Sequence, residues 1–133
     1  MGLALLLTFE NSNAGNKKGN LTSDDVIATY VNAVANGNLK DLSAIIDDDA
    51  RFSTKLRQNF FVQSKEDVMN ELAFFENVKQ NCKVTQSVVG NMPTQLIVKV
   101  DFDYGDFTKA NYVTVSETNN GWLITNVSSV FVQ

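Results

Sequence analysis

The chain has no histidine and a single cysteine, Cys82. The first absence excludes Ser-His and Cys-His nucleophile pairs, histidine zinc sites and imidazole proton transfer. The second excludes an intrachain disulfide and a thiolate metal cluster. Proline is reduced to Pro93, and the lysines and arginines are scattered rather than clustered into a phosphate-tracking groove. With a net charge of −4 the chain lacks the electrostatic footprint of a nucleic-acid binder, so no nucleic-acid partner is expected. Chemistry, if there is any, must run on carboxylates, tyrosine, lysine or bound water. No cofactor and no metal are expected.

What is present is an ordinary globular composition: 44% hydrophobic and 20% charged residues over 133 positions, enough for one domain with a real core. The N-terminus is ambiguous. Leu3-Ala4-Leu5-Leu6-Leu7-Thr8-Phe9 is a short apolar run, and Ser12-Asn13-Ala14 before Gly15 resembles a small-residue cleavage site, but a basic leading region is missing. Residues 1–20 therefore read as an N-terminal arm or a signal-peptide remnant with a polar linker, ahead of a domain over 21–133. A signal remnant would imply a periplasmic or secreted protein, an arm a cytoplasmic one. The run is too short to cross a bilayer, so no integral membrane span is expected.

Within the domain, Thr22 and Asp25 make a capping-box pattern ahead of Val26, Ile27, Tyr30, Val31 and Val34 at helical spacing, and Asn36-Gly37 stops that helix. A second, shorter helix is expected from Asn38, with Leu39, Leu42, Ile45 and Ile46 as its stripe and Asp47-Asp48-Asp49 at its end. Arg51–Thr54 and Phe60–Val62 read as two short strands. Ser64 and Asp67 cap a third helix carrying Val68, Leu72 and Phe75 on one face. The period then changes to two. Strands are expected over Lys83–Val89, through Leu96, Val98, Val100 and Phe102, over Phe107–Glu117 and over Trp122–Val132. Turns at Gly90–Pro93 and Tyr104-Gly105-Asp106 and an Asn119-Asn120-Gly121 hairpin join the four, the last expected as a type I′ turn. The fold class is α+β: three N-terminal helices packed on a curled antiparallel sheet.

Val26-Ile27-Ala28-Thr29-Tyr30, the stretch Ala33 to Phe52 with Asn36-Gly37-Asn38-Leu39, and the closing Gly121-Trp122-Leu123-Ile124 give the chain a likeness. It resembles the nuclear transport factor 2-like superfamily, the cone fold of SnoaL-like cyclases and ketosteroid isomerase, over about residues 21–132. It also looks like small, often exported bacterial members with no assigned activity. The resemblance implies a cone with an internal pocket and a tendency to dimerise through the sheet. Enzymes of the superfamily place an Asp or an Asp–His pair on the cavity wall, and without histidine that pair is absent here. Tyr30 sits on the first helix, comparable to the hydrogen-bonding tyrosine of ketosteroid isomerase.

The catalytic candidates are Asp101 and Tyr30. Asp101 shares its strand face with Ile97, Lys99 and Asp103; turned inward it would be a desolvated base, turned outward a solvated carboxylate, and the valine face of the strand favours the second. Asp47-Asp48-Asp49 lacks the alternation, glycine and distal Glu of a calcium loop, so it reads as a solvated helix terminus. Tyr30, Phe52, Phe61, Phe75, Tyr112 and Trp122 would wall a pocket, with Asn111 and Asn126 as its placed polar groups. Asn126 has the parity of Trp122 and Ile124, so all three are expected on one face. Plain core packing accounts for the aromatic residues equally well.

Three functions follow. The first is a dimeric, non-enzymatic module holding a small apolar ligand in the cone. The second is an acid–base isomerase, cyclase or dehydratase working through Asp or Tyr. The third is a structural or protein-interaction domain with a filled core. Valine, isoleucine and phenylalanine occur at both parities of the strands, which supports a homodimer through the sheet.

Overall fold

The computed structural model describes residues 21–133. The expectations placed on residues 1–20 lie outside them. Helix α1 spans Ser23–Asn36, a 3-10 turn spans Ser43–Ile45, and helix α2 spans Lys65–Ala73. The strands are β1 (Ile46–Leu56), β2 (Asn59–Ser64), β3 (Lys83–Met92), β4 (Gln95–Asp103), β5 (Thr108–Thr118) and β6 (Gly121–Val132). They form one sheet in the order β2-β1-β6-β5-β4-β3.

Both helices start on the caps written in the sequence. Thr22 Oγ1 accepts from the Asp25 amide while the Asp25 carboxylate accepts from the Thr22 amide, and Ser64 and Asp67 repeat the arrangement. Gly37 ends α1 at φ 70°, returning its amide to the Ala33 carbonyl. Val26, Ile27, Tyr30 and Ala33 turn the buried face of α1 onto the sheet. There they meet Val98, Val100, Phe102, Val113, Val115, Ile124 and Val127, the inner-facing residues of β4, β5 and β6. Fully burying one such aliphatic side chain contributes about 1.5–3 kcal/mol, so this layer carries most of the fold.

The fold departs from the sequence reading in five places. Among the described residues there are two α-helices, not three: the stripe from Leu39 to Ile46 closes into a single 3-10 turn and passes straight into β1. Isoleucine at 45 and 46 is β-branched, and both side chains reach full burial from a turn and a strand start without needing a helix. Asp47-Asp48-Asp49 consequently lies in β1, not at a helix terminus. The Lys65 ammonium donates to the Ser43 and Ile46 carbonyls and to Asp48 Oδ1 at 2.8, 2.9 and 3.1 Å, stitching this stretch to the start of α2. The sheet is mixed, because β1 runs parallel to β6.

The fourth difference is β3, which continues through Gly90 to Met92 with a bulge after Val88. Without side-chain bulk, Gly90 leaves room for Ile97 opposite it. The fifth is the β5–β6 hairpin. Thr118 pairs with Gly121, and the positive φ falls on Gly121 rather than on Asn119 or Asn120. Thr118 Oγ1 closes the turn by donating to the Gly121 carbonyl and accepting from the Asn120 amide, so a type I′ geometry is not needed.

Candidate functional site at the open end of the cone

Strand register decides which side chains can meet under the helices. Across β6, β5 and β4 the inner face carries rows of directly opposed residues. One row is Val127, Val113 and Val98; the next is Ser129, Asn111 and Val100; the last is Phe131, Lys109 and Phe102. β1 adds Phe52 to the first row and Thr54 to the second. The valine row packs with the buried face of α1. The polar row is packed shut too, through hydrogen bonds. Among the described residues, a depression of about 290 Å³ lies between α1 and β3 beside Val98, and three more open around the last row.

In the polar row, Asn111 is 1% exposed. Its Nδ2 donates to the Tyr30 hydroxyl at 2.7 Å, and its Oδ1 accepts from the Ser129 hydroxyl at 2.7 Å. Three helix and strand elements are thus tied by one amide. Burial of the Tyr30 phenol, opposed by the Asn111 hydrogen bond, pushes its pKa well above the ordinary tyrosine range. The neutral phenol is the only form present at physiological pH.

One row further out, depressions of about 600, 500 and 300 Å³ share their walls. Phe131 lines all three. Phe61 from β2 and Phe107 from the β4–β5 turn line individual parts, and Leu72 and Phe75 come from α2 and the segment after it. Phe107 stacks on Tyr104 with ring centroids 5.0 Å apart and leans on Phe131 at 5.8 Å. Phe75 is held in place from behind. The Gly37 carbonyl accepts from the Asn77 amide at 2.8 Å, and the Ala35 carbonyl from the Gln80 amide at 2.7 Å. These bonds fix the segment after α2 to the end of α1.

Lys109 is the one residue of this mouth that carries a positive charge from the inner face of the sheet. It lines two of the depressions together with Glu71 and Phe131. Its ammonium lies 5.7 Å from the Phe131 ring centroid, in cation–π range. Among the described residues it makes no ion pair and donates no hydrogen bond. Burial holds its pKa below the usual lysine value, with the nearby Glu71 carboxylate pulling the other way. Arg57 stands at the rim, at φ 59° in the two-residue β1–β2 turn.

The residues singled out from sequence are distributed as follows. Phe61 and Phe75 line the mouth, and both are about half exposed. Tyr30 and Asn111 lie one row beneath it, hydrogen-bonded to each other. Phe52 and Trp122 pack with the core. Tyr112 and Asn126 are on the outer face of the sheet, with Tyr112 opposite Lys99 and Ser128, and Asn126 opposite Thr114 and Arg51. The register shift after Thr114 separates Asn126 from Ile124. That bulge puts Ile124 and Val127 on the inner face and turns Asn126 outward, where its amide donates to Ser128 Oγ at 3.2 Å. Parity counted through a bulge fails by one residue.

Asp101 also lies on the outer face, with Oδ2 3.5 Å from the Lys99 ammonium. Its Oδ1 is buried with no hydrogen-bond partner among the described residues. Lys109 and Phe131 did not stand out in the sequence. Their signal was there: Lys109 shares parity with Asn111, Val113 and Val115, so a lysine sits at the end of an otherwise inward-facing stripe. Among the described residues no cluster of three or more acidic or cysteine side chains is placed to hold a metal ion, and no helix is long and apolar enough to cross a membrane.

The arrangement is that of a class of cone-shaped α+β domains. No family model matches the chain, and no curated protein matches it. Solved structures do. A nuclear transport factor 2-like protein of unknown function from Silicibacter pomeroyi superposes with a TM-score of 0.65 at 14% identity, covering 81% of this chain and 91% of that one. Another, from Shewanella baltica, has a TM-score of 0.65 at 9% identity, covering 84% and 91%. A protein designed de novo in work on diverse pocket structures matches with a TM-score of 0.50 at 16% identity, covering 81% and 96%. The chain has the nuclear transport factor 2-like fold.

Proposed function

We propose that the protein is a small-molecule-binding module that takes an apolar ligand into the open end of the cone. The observation that carries this reading is that Phe61, Phe75 and Phe107, from three separate parts of the chain, line adjoining depressions that all share Phe131. Aromatic side chains gathered on a cavity of a few hundred Å³ with few polar groups are the usual make-up of a ligand pocket. Phe61 and Phe75 remain 50% and 49% exposed, so a ligand would remove apolar surface that the fold leaves in water. The designed neighbour supports the reading, because it comes from work on proteins with diverse pocket structures.

The test is an NMR titration with cinnamamide, an uncharged aromatic probe. Saturable shifts confined to the Phe107–Lys109 segment, Phe61, Phe75 and Phe131 are expected. Absence of any saturable shift at millimolar probe would refute the pocket. The module further acts as a homodimer through the outer face of the sheet, where Ile97, Tyr112 and Val130 are half-buried beside the polar Ser53–Ser128 and Ser116–Thr125 pairs. Sedimentation velocity should give twice the chain mass at micromolar concentration and the single mass for Ile97→Glu. A wild-type monomer at high concentration would exclude the dimer.

A further inference from the structure

We propose that the ligand is an anion, a small aromatic or aliphatic carboxylate whose charged head pairs with the Lys109 ammonium while its apolar body lies against Phe107 and Phe131. This deepens the binding reading above and rests on it. The argument starts from an imbalance. Lys109 projects from the inner face of β5 into a mouth walled by aromatic rings, and among the described residues its ammonium meets a ring face but no carboxylate at ion-pair distance. Lys109 is half-buried against aromatic rings, and a cation partly withdrawn from water without a counter-ion is disfavoured. Glu71 across the mouth lowers the cost without closing the pair.

The other charged and titratable groups facing this space are Arg57 at the rim and the Tyr104 phenol, whose pKa is raised by burial and by the neighbouring Cys82. Neither of these side chains supplies a negative charge. A ligand carboxylate would provide what the fold withholds, and a charge-assisted hydrogen bond in this aromatic setting is stronger than one in water. The occupant is thus an amphiphilic acid of modest size rather than a neutral hydrocarbon. Depressions of about 300–600 Å³ admit one or two rings or a short acyl chain.

The experiment compares cinnamate with cinnamamide, which share shape and differ in charge, by calorimetric titration of the full chain. Wild type should bind cinnamate about tenfold or more tightly than cinnamamide, the scale of a single charge-assisted bond. Lys109→Met should bind the two alike and keep the cinnamamide affinity, whereas Arg57→Gln should keep the wild-type preference. Met fills the lysine stem's place with apolar atoms, and the wild-type comparison stands by itself if that variant does not fold. Equal binding of acid and amide by wild type would overturn the role of Lys109 while leaving the pocket. A preference surviving in Lys109→Met would overturn it as well. Saturable binding of neither probe would remove the pocket reading along with it.

Discussion

Replacing Asn111 by leucine tests whether the polar row beneath the mouth is a structural tie that keeps the cone's interior shut. The amide donates to Tyr30 and accepts from Ser129, each at 2.7 Å, and all three residues are at most 6% exposed. Asn111→Leu keeps the volume but leaves the Tyr30 oxygen without a donor and the Ser129 hydroxyl without an acceptor. Each buried polar group left alone costs about 1–3 kcal/mol, so the variant should lose about 2–6 kcal/mol. Against a usual total of about 5–15 kcal/mol that is a large share. Tyr30→Phe strands a single amide proton and should cost about 1–3 kcal/mol. Removing all three polar groups together, as Asn111→Leu with Tyr30→Phe and Ser129→Ala, should recover most of the loss, because no orphan remains. Urea unfolding followed through Trp122, the only tryptophan and packed on the core, reports each value. A triple variant less stable than Asn111→Leu alone would refute the reasoning.

Gly37→Ala should destabilise by about 2–4 kcal/mol, combining a left-handed backbone cost with overpacking. A Cβ there would stand 2.6 Å from the Asn77 and Val78 amide nitrogens and closer still to the Phe75 carbonyl oxygen. Thermal melts read the stability, and the Phe75 resonances should shift because the same loop carries the mouth. Lys65→Met should cost about 1–3 kcal/mol by leaving the Ser43 and Ile46 carbonyls without their donor, whereas Asp48→Asn should change stability by less than about 1 kcal/mol, since that carboxylate is 96% exposed. Denaturant midpoints of the two variants separate these expectations. At high pH the advantage of wild type over Tyr30→Phe should shrink. Above the free phenol's value of about 10 the unfolded chain has lost a proton that buried Tyr30 retains, so stability falls as pH rises. A difference between the two proteins that holds constant from pH 8 to about 11 would contradict the burial of that phenol.

How much of this was legible in the sequence depends on the kind of signal. Both capping boxes, the Gly37 stop and the alternation of Leu96, Val98, Val100 and Phe102 are local rules, and the structure has them where the residues put them. The missing helix was a problem of length. Eight residues from Leu39 to Ile46 carry a helical stripe, but a helix that short gains little before β-branched Ile45 and Ile46 bring the chain to the sheet. The parallel pairing of β1 with β6 is a long-range contact that no local pattern encodes. The site was only half legible. Aromatic content pointed to walls, and Phe61 and Phe75 are among them; Asn126 was turned outward by a bulge at Thr125 that alternation cannot foresee. Lys109 was overlooked because a lysine in a strand usually marks the wet face, whereas here its parity is that of Val113 and Val115.

The absence of histidine keeps its weight beside the structure. The open end of the cone offers a lysine without an ion pair among the described residues and a wall of aromatic rings, the two features on which the proposed binding of an acid rests. The most direct measurement is a crystal structure of the wild-type chain with cinnamate. The account predicts the ring lying against Phe107 and Phe131, with a carboxylate oxygen within hydrogen-bond distance of the Lys109 Nζ. Cinnamate found only on the outer face of the sheet, or a mouth closed by Phe61 and Phe75 with no ligand in it, would contradict the account.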